Sequence, residues 1–391
     1  MRILSINSGS SSLKFAVHEL DPKGKGTAVA GGKMIRIGRP DSLFIDLESG
    51  AEESFRQVPL PDHKAALESL VRYLREQEIK ETIQGIGHRL VHGGPVYQSP
   101  RIVTADTFTG LRDLIHLAPE HMPEQLMAVE FFGRLFPATR QVACFDTSFH
   151  KQMPRVARIF PLPGRLEKAG VVRYGFHGLS CESILHKLME EKHGLMPARM
   201  VIAHLGNGAS MTAVKSSRSV DTTMGFTPAG GLMMSTRSGD LDPGVIFYLL
   251  REQEIGTEKL AEIINSQSGL LGVSGISGDM EQLLKEEQRQ PGAADAVALF
   301  CYQARKYLGS LVFALGGIDL LAFTGGIGEK SPAIRERICA DLGFAGITLS
   351  GDLNGRNAGT VSAPGAPVEV RVIETDEELM IALHTAKLLE E

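Results

Sequence analysis

The sequence has few cysteines and no spacing among them that suits a metal. Cys144, Cys181, Cys301 and Cys339 form no C-x-x-C pair and lie in mostly apolar or helical stretches. Neither a disulfide framework nor a zinc site is expected. No apolar run is long enough for a bilayer: the most apolar window, 308–323, is broken by Gly316, Gly317 and Asp319. Asn7 interrupts the first apolar run after a few residues, so no signal peptide is read there, and the cytoplasm is the expected location. Basic charge is not in excess. A net charge of −5 gives no reason to expect nucleic acid as a partner, nor is a membrane expected. Walker A, G-x-G-x-x-G, H-E-x-x-H and G-x-S-x-G motifs are all missing.

What remains is a chain of 391 residues, 43% hydrophobic and 22% charged, which suits a globular protein of two domains. Its 43 glycines cluster in turns. Two stretches resemble each other. Ile3-Leu4-Ser5-Ile6 runs into Asn7-Ser8-Gly9-Ser10-Ser11-Ser12 and returns through Leu13-Lys14-Phe15-Ala16-Val17. Met200-Val201-Ile202-Ala203 runs into His204-Leu205-Gly206-Asn207-Gly208-Ala209-Ser210 and returns through Met211-Thr212-Ala213-Val214. Each reads as a strand, a tight turn and a return strand. Small turn residues leave backbone N–H groups uncovered, as an anion-binding turn requires. Two such turns suggest a duplicated domain with the turns facing across a cleft, where a nucleotide phosphate chain would fit.

Between them, strands are expected near 29–37 and 44–47, and Asp62 should cap a helix that buries Ala66, Leu67, Leu70, Val71 and Leu74. A strand over 85–94 carries Arg89. Helices follow over 105–115 and after Pro123. Gln141-Val142-Ala143-Cys144-Phe145 forms a buried strand that delivers Asp146 at its carboxyl end, where α/β sheets bind ligands. An irregular stretch, 154–163, is a plausible domain start. Ser180 should cap a helix running to about His193. The segment 224–243 has neither helical nor strand period and places Arg237 amid Ser, Thr and Gly, a setting suited to an anion. Asp242-Pro243 starts a helix. Loops are expected over 268–279 and 324–330, a helix buried on more than one side over 293–315, a helix after Ser331-Pro332, a strand over 368–373, and a final helix opened by a Thr375-x-x-Glu378 capping box. Glycine turns, two arginines in glycine-rich loops and a strand-end aspartate suit phosphoryl transfer, whose transition state is stabilised by donors, cations and Mg²⁺.

The segments 7–14, 87–94, 145–150, 174–177, 204–210, 221–228, 232–243, 268–279 and 324–329 resemble, in order, the signature segments of the acetate kinase family. That family belongs with the sugar kinases, actin and the seventy-kilodalton heat-shock chaperones. The resemblance implies an α/β, two-lobed, duplicated actin-like (ribonuclease H-like) fold with mixed sheets and a central nucleotide cleft. It implies an amino-terminal lobe of 1–150 with the terminal helix 376–391, a nucleotide-binding lobe of 151–375, and a homodimer. It carries over the following roles. Asn7 and Glu377 lie at the Mg²⁺ site, where Mn²⁺ can substitute. Lys14 and the two turns, with His204, Leu205, Gly206, Asn207 and Gly208, hold the phosphates of ATP or ADP. Asp279, Gly326, Ile327, Gly328, Glu329 and Lys330 face the nucleoside. Arg89 binds the carboxylate substrate, with Val91, His121, Phe176 and Pro228 around it. Asp146 is the family's catalytic acid, and His177 and Arg237 stabilise the transferring phosphoryl group.

The implied reaction is acetate plus ATP giving acetyl phosphate plus ADP, reversibly. Propionate or butyrate as acceptor, or a nucleotide-binding regulator without turnover, are the alternatives. A carboxylate with a pKa of about 4 is already ionised at pH 7 and needs no general base, so Asp146 is expected to position Arg237 or Mg²⁺. The chain departs from the family at Glu120, Met122, Leu179, Cys181, Gly230, Ser235, Glu281 and Lys330, which bears on acyl-chain preference and nucleotide affinity. Glu120 is expected at a pocket mouth facing water, and Glu281 and Lys330 either to pair or to leave Lys330 on the nucleotide.

Overall fold

Alternating apolar residues pair β1 (Arg2–Ser8) with β2 (Ser12–Leu20) as an antiparallel hairpin, in register from Arg2↔Glu19 to Ser8↔Leu13. The computed structural model describes residues 1–21, 24–47 and 54–391. Within these, the chain divides into one unit of Met1–Ser148 with Asp376–Glu391 and a second of Phe149–Thr375.

The first unit adds β3 (Gly26–Ile35), β4 (Leu43–Asp46), β5 (Ser54–Gln57), β6 (Gly85–Leu90), β7 (Arg101–Ile102) and β8 (Gln141–Phe145). Their order is β5-β4-β3-β2-β1-β6-β8-β7, with β1, β6 and β8 parallel. Helix His63–Glu76 begins where Asp62 accepts a hydrogen bond from the Ala65 amide, and it buries the apolar stripe that its spacing predicts. That stripe packs on Leu4, Ile6, Phe15 and Val17 from one sheet face, each fully buried side chain contributing about 1.5–3 kcal/mol. Helix Glu377–Glu390 covers the other face with Met380, Ile381 and Ala382. Gly87 permits its approach: a Cβ there would collide with Thr385 and Ile381.

The second unit contains β9 (Arg199–Leu205), β10 (Ala209–Lys215), β11 (Arg218–Thr222), β12 (Leu320–Thr324) and β13 (Glu369–Val372), in the order β11-β10-β9-β12-β13. An antiparallel three-strand meander is followed by two parallel strands. The first unit repeats this plan as β3-β2-β1-β6-β8. The duplication expected from two turns is therefore a duplication of a five-strand plan, to which the first unit adds β4, β5 and β7.

Several expected boundaries differ. The helix expected after Ser180 is Gly178–Glu191; its cap is His177, at a left-handed φ of 57°, and Ser180 lies buried inside it. The stretch 154–163 holds a short helix, Arg155–Arg158. Within 268–279, Leu270 and Ser274 turn inward on a helix, Gly269–Ser274, rather than a loop. Gly325–Lys330 is also helical, because Glu329 accepts the Gly325 amide and the Thr324 hydroxyl and so offsets the poor propensity of its glycines. Helix Pro291–Leu315 buries one stripe, Ala293 through Leu315, and leaves Tyr302 and Phe313 exposed. The terminal helix is capped by Asp376, which accepts the Leu379 amide, so Thr375 and Glu378 form no capping box.

Candidate active site

In the first unit the parallel strands bring their carboxyl ends together. Asn7 stands near the end of β1, Arg89 near the end of β6, and Asp146 directly after β8. Arg89 donates from Nε to Asp146 Oδ1 at 2.9 Å and from Nη2 to Oδ2 at 2.6 Å, a bidentate pair. Its Nη1 donates to Asn7 Oδ1 at 2.9 Å. Asn7 Nδ2 donates to Glu377 at 2.8 Å and to Glu378 at 2.9 Å. The amide orientation is thereby set, since a flip would face N–H groups toward the guanidinium. Burial works against the charge of Arg89, but Asp146, Glu377 and Glu378 outweigh it and hold its pKa above the ordinary value. Asp146 thus holds Arg89, a partner the sequence reading did not assign to it.

Three of the five guanidinium N–H groups of Arg89 are engaged in hydrogen bonds of this network, and its Nη1 also lies 3.9 Å from Glu377 Oε2. Lys14 stands opposite Asn7 on β2, exposed, and its charge acts on Glu378. Val91 is buried, and its amide donates to Gln125, whose Nε2 donates to the Ser8 carbonyl beside the first turn. His121 is half-buried at the cap of helix Met122–Leu135, and Glu120 beside it is exposed. No cluster of three or more His, Cys, Asp or Glu arranged for a metal occurs among the described residues. Two convergent carboxylates at an asparagine instead fit a hard cation such as Mg²⁺, which takes one or two carboxylates and completes its shell with water and phosphate oxygens.

In the second unit the turn after β9 is the centre. Gly206 N donates to Gly208 O at 3.0 Å, and Ser235 N to Asn207 O at 3.1 Å. His177 Nδ1 lies 2.9 Å from Ser210 Oγ, and its ring is 4.5 Å from that of His204. A Cβ on Gly208 would stand 3.2 Å from His177 Nε2 and 3.7 Å from Arg237 Nη1, so both side chains converge on the turn. Arg237 Nη1 donates to the Pro228 carbonyl at 3.0 Å and approaches Met234 Sδ at 3.5 Å. Phe176 is buried, and its carbonyl bonds the His150 ring. Gly325 lies against the Leu205 carbonyl, which brings the amino end of helix Gly325–Lys330 to the turn. In that helix Gly326 and Lys330 are exposed, Ile327 and Glu329 half-buried, and Gly328 buried. Asp279 caps helix Met280–Glu286 beside Gly278, which touches the Ser235 carbonyl. Glu281 pairs with Lys285 one turn along its own helix at 2.6 Å, and that bond lowers its pKa. The expected pair with Lys330 is replaced by this local one, because i,i+4 spacing brings the two side chains together at no cost in loop ordering.

Two other histidines are structural. Burial pushes His88 and His150 down to about 4 despite bonds to Gln141 and the Phe176 carbonyl. Glu378 and Gln125 escaped the sequence reading as site residues, and Ser210 entered it only as the end of the second turn. Only the Glu377-Glu378 doublet carried a local signal. Arg335 was also missed: fully buried, it donates to the carbonyls of Gly328 and Glu329 and to Asn354.

Two units with one strand plan, each bearing a small-residue turn beside polar strand-end groups, define a two-lobed α/β protein of the actin-like class. The acetokinase family model matches residues 2–383. An acetate kinase of Rhodopseudomonas palustris is 42% identical over 99% of this chain and 98% of its own. A propionate kinase of Citrobacter rodentium is 41% identical over 97% of this chain and 95% of its own. The crystal structure of Porphyromonas gingivalis acetate kinase aligns with a TM-score of 0.87 at 37% identity, covering 99% of each chain. The chain belongs to the acetokinase family, whose members here are kinases, and it is a phosphotransferase.

Proposed function

We propose that this protein is an acetate kinase, transferring the γ-phosphoryl group of ATP to acetate by in-line displacement, with Mg²⁺, to give acetyl phosphate and ADP. The observation that carries the reading is Arg89. It is fixed bidentately by Asp146 and tied to Asn7 at the carboxyl ends of three parallel strands, with N–H groups beyond those three bonds. A guanidinium so placed suits a small carboxylate. Asp146 then acts by orienting Arg89, since the acceptor is already ionised at neutral pH. We assign Val91 and His121 of the first unit, and Phe176 and Pro228 of the second, to the alkyl end. Glu377 and Glu378 would hold the metal, with Asn7 at the same site orienting both carboxylates through Nδ2, and the bound metal would neutralise charge on the phosphate oxygens. Lys14 and the turns at Gly9 and at 204–208 take the phosphates. Asp279 and Gly326 through Lys330 face the nucleoside. His177 and Arg237 meet the phosphoryl group in the transition state. His177 presents Nε2 there because Ser210 engages Nδ1.

Propionate as acceptor is the second reading, favoured by the relative named for that substrate. The protein is read as a cytoplasmic homodimer. No described helix is long and apolar enough to cross a membrane. Helix Pro243–Arg251 has no buried residue although it carries Val245, Phe247 and Tyr248, all exposed, an apolar surface that suits a second copy. Hydroxamate trapping of acyl phosphate with acetate, propionate and butyrate tests the reading. The highest kcat/KM is expected with acetate. No acyl phosphate from any of the three would overturn enzymatic function, and a clear preference for propionate would replace the substrate.

A further inference from the structure

One helix outside the site reaches into the loop that carries Arg237. On helix Pro291–Leu315, Gln303 Oε1 accepts the Met233 amide at 3.0 Å. One turn further along, the Tyr307 hydroxyl donates to Asp240 Oδ2 at 2.5 Å. Spacing of i,i+4 puts both on one face of the helix. Asp240 is the closing residue of the loop: its Oδ1 accepts the Gly231 amide at 2.7 Å, and its own amide donates to the Gly231 carbonyl at 2.9 Å. The closed segment runs from Gly231 to Asp240 and contains Arg237. Gly231 and Gly239 hold left-handed φ of 85° and 73°, where a Cβ would strike Thr223 and Leu232 respectively. The far side of the segment is tied by Ser238 N to Ile264 O and by Ser268 N to Thr236 O. The backbone of a loop with neither helix nor ladder is thus held from two sides, and the two helix side chains provide one of them.

We infer that Tyr307 and Gln303 are positioning residues for Arg237, acting through Asp240 and Met233. The inference rests on the phosphoryl-transfer reading above. Burial, and then the bond to Asp240, keep the Tyr307 phenol above its ordinary pKa, so it remains a donor throughout the neutral range. Misplacing a group that meets the transition state by about 1 Å costs on the order of a hundredfold in rate. Tyr307→Phe deletes only the hydroxyl. It should lower kcat about tenfold or more and leave the KM values for ATP and acetate within about twofold, because the loss falls on transition-state binding. Gln303→Leu should act in the same direction, and Gln303→Glu, which keeps an acceptor for Met233 N, should retain most of the rate.

The discriminating measurement is a double-mutant cycle. With Arg237→Ala as background, Tyr307→Phe should change kcat little further, since the group it positions is gone. An equal fold-loss in both backgrounds, or an unchanged kcat in Tyr307→Phe alone, overturns the inference. Amide exchange at Gly231 and Met233 reports the same pin without turnover and should quicken in Tyr307→Phe and Gln303→Leu respectively. Unchanged exchange overturns the inference even where the wild-type chain makes no acyl phosphate, an outcome that by itself would remove only the reaction assigned above.

Discussion

The strand end before the first glycine turn carries side chains bound to one another by charge, whereas around the second turn His177 bonds a hydroxyl and Arg237 a backbone carbonyl. Arg89 is gripped by Asp146 on one side and by Asn7 on the other, with Glu377 3.9 Å away. Arg237 Nη1 donates to a carbonyl and approaches a thioether, and the His177 ring bonds a hydroxyl. The sheets beneath share one order. A duplicated frame therefore fixes where side chains stand but not how they are held. Carboxylate partners hold a guanidinium and offset its charge. Neutral acceptors orient it without offsetting its charge.

This contrast predicts different failures. Removing Arg237 should cost rate and little stability. Arg237→Ala is expected to lower kcat roughly a thousandfold or more, with ATP KM little changed and the melting temperature close to that of the parent. Retained kcat with weakened substrate binding would place Arg237 in ground-state binding and dissolve the contrast.

Removing Asp146 should cost stability as well. Its side chain is 2% exposed and that of Arg89 18%. Breaking a buried pair from one side typically destabilises by about 3–5 kcal/mol, because the remaining charge stays desolvated. Asp146→Ala should show that loss in urea denaturation, and Arg89→Met in the same background should recover part of it. Equal stability of Asp146→Ala and the parent would mean that Arg89 finds another partner, and the first unit would then resemble the second.

How far this was legible beforehand follows the same division. Both hairpins, the Asp62-capped helix and the strand delivering Asp146 are decided by apolar period and turn chemistry within a few residues, and those stretches read correctly. The glycine-rich stretches after Ser268 and Thr324 read as loops because glycine disfavours helices, yet tertiary packing and the Glu329 carboxylate make them helical. Glu378 read as a capping residue because its spacing from Thr375 fits that motif. Its hydrogen bond is instead to Asn7, 371 positions away, a contact no local pattern encodes. Asp146 reads at the right strand end, but its bidentate pair with Arg89 does not follow from any local pattern. That pair depends on β6 and β8 lying side by side in parallel, with Arg89 level with Cys144.

The acidic side of the first unit gives a sharper test by pH. Desolvation raises the pKa of Glu378; Lys14 pulls it down, Glu377 pushes it up, and the Asn7 bond pulls it down, with a net rise. A carboxyl whose folded pKa exceeds its unfolded value binds more protons when folded. Its contribution is complete below the unfolded value and is lost as pH rises through the folded one. Ionised Glu378 should therefore burden the fold at pH 8. Glu378→Gln is expected to melt higher than the parent at pH 8, with the gap narrowing as pH falls toward 4. A gap that is constant with pH, or a variant that melts lower at pH 8, would assign the shift to another group.

The smallest effect is expected at Glu120, and it limits how far the charged site extends. Glu120 is exposed, His121 after it caps a helix half-buried, and Met122 is fully buried in that helix. Three successive residues thus pass from solvent to core, and the carboxylate lies on the solvent side. A carboxylate turned into an acyl pocket would repel the carboxylate substrate unless a cation offset it. In water the repulsion is screened within about 10 Å at moderate salt. Exposed substitutions away from special features usually change little. Glu120→Leu should therefore keep kcat/KM for acetate within about threefold and leave the acetate-to-propionate ratio as it was. A rise in the relative rate with propionate, or a loss well beyond threefold, would place the Glu120 carboxylate on the pocket wall and extend the charged half of the comparison past Arg89.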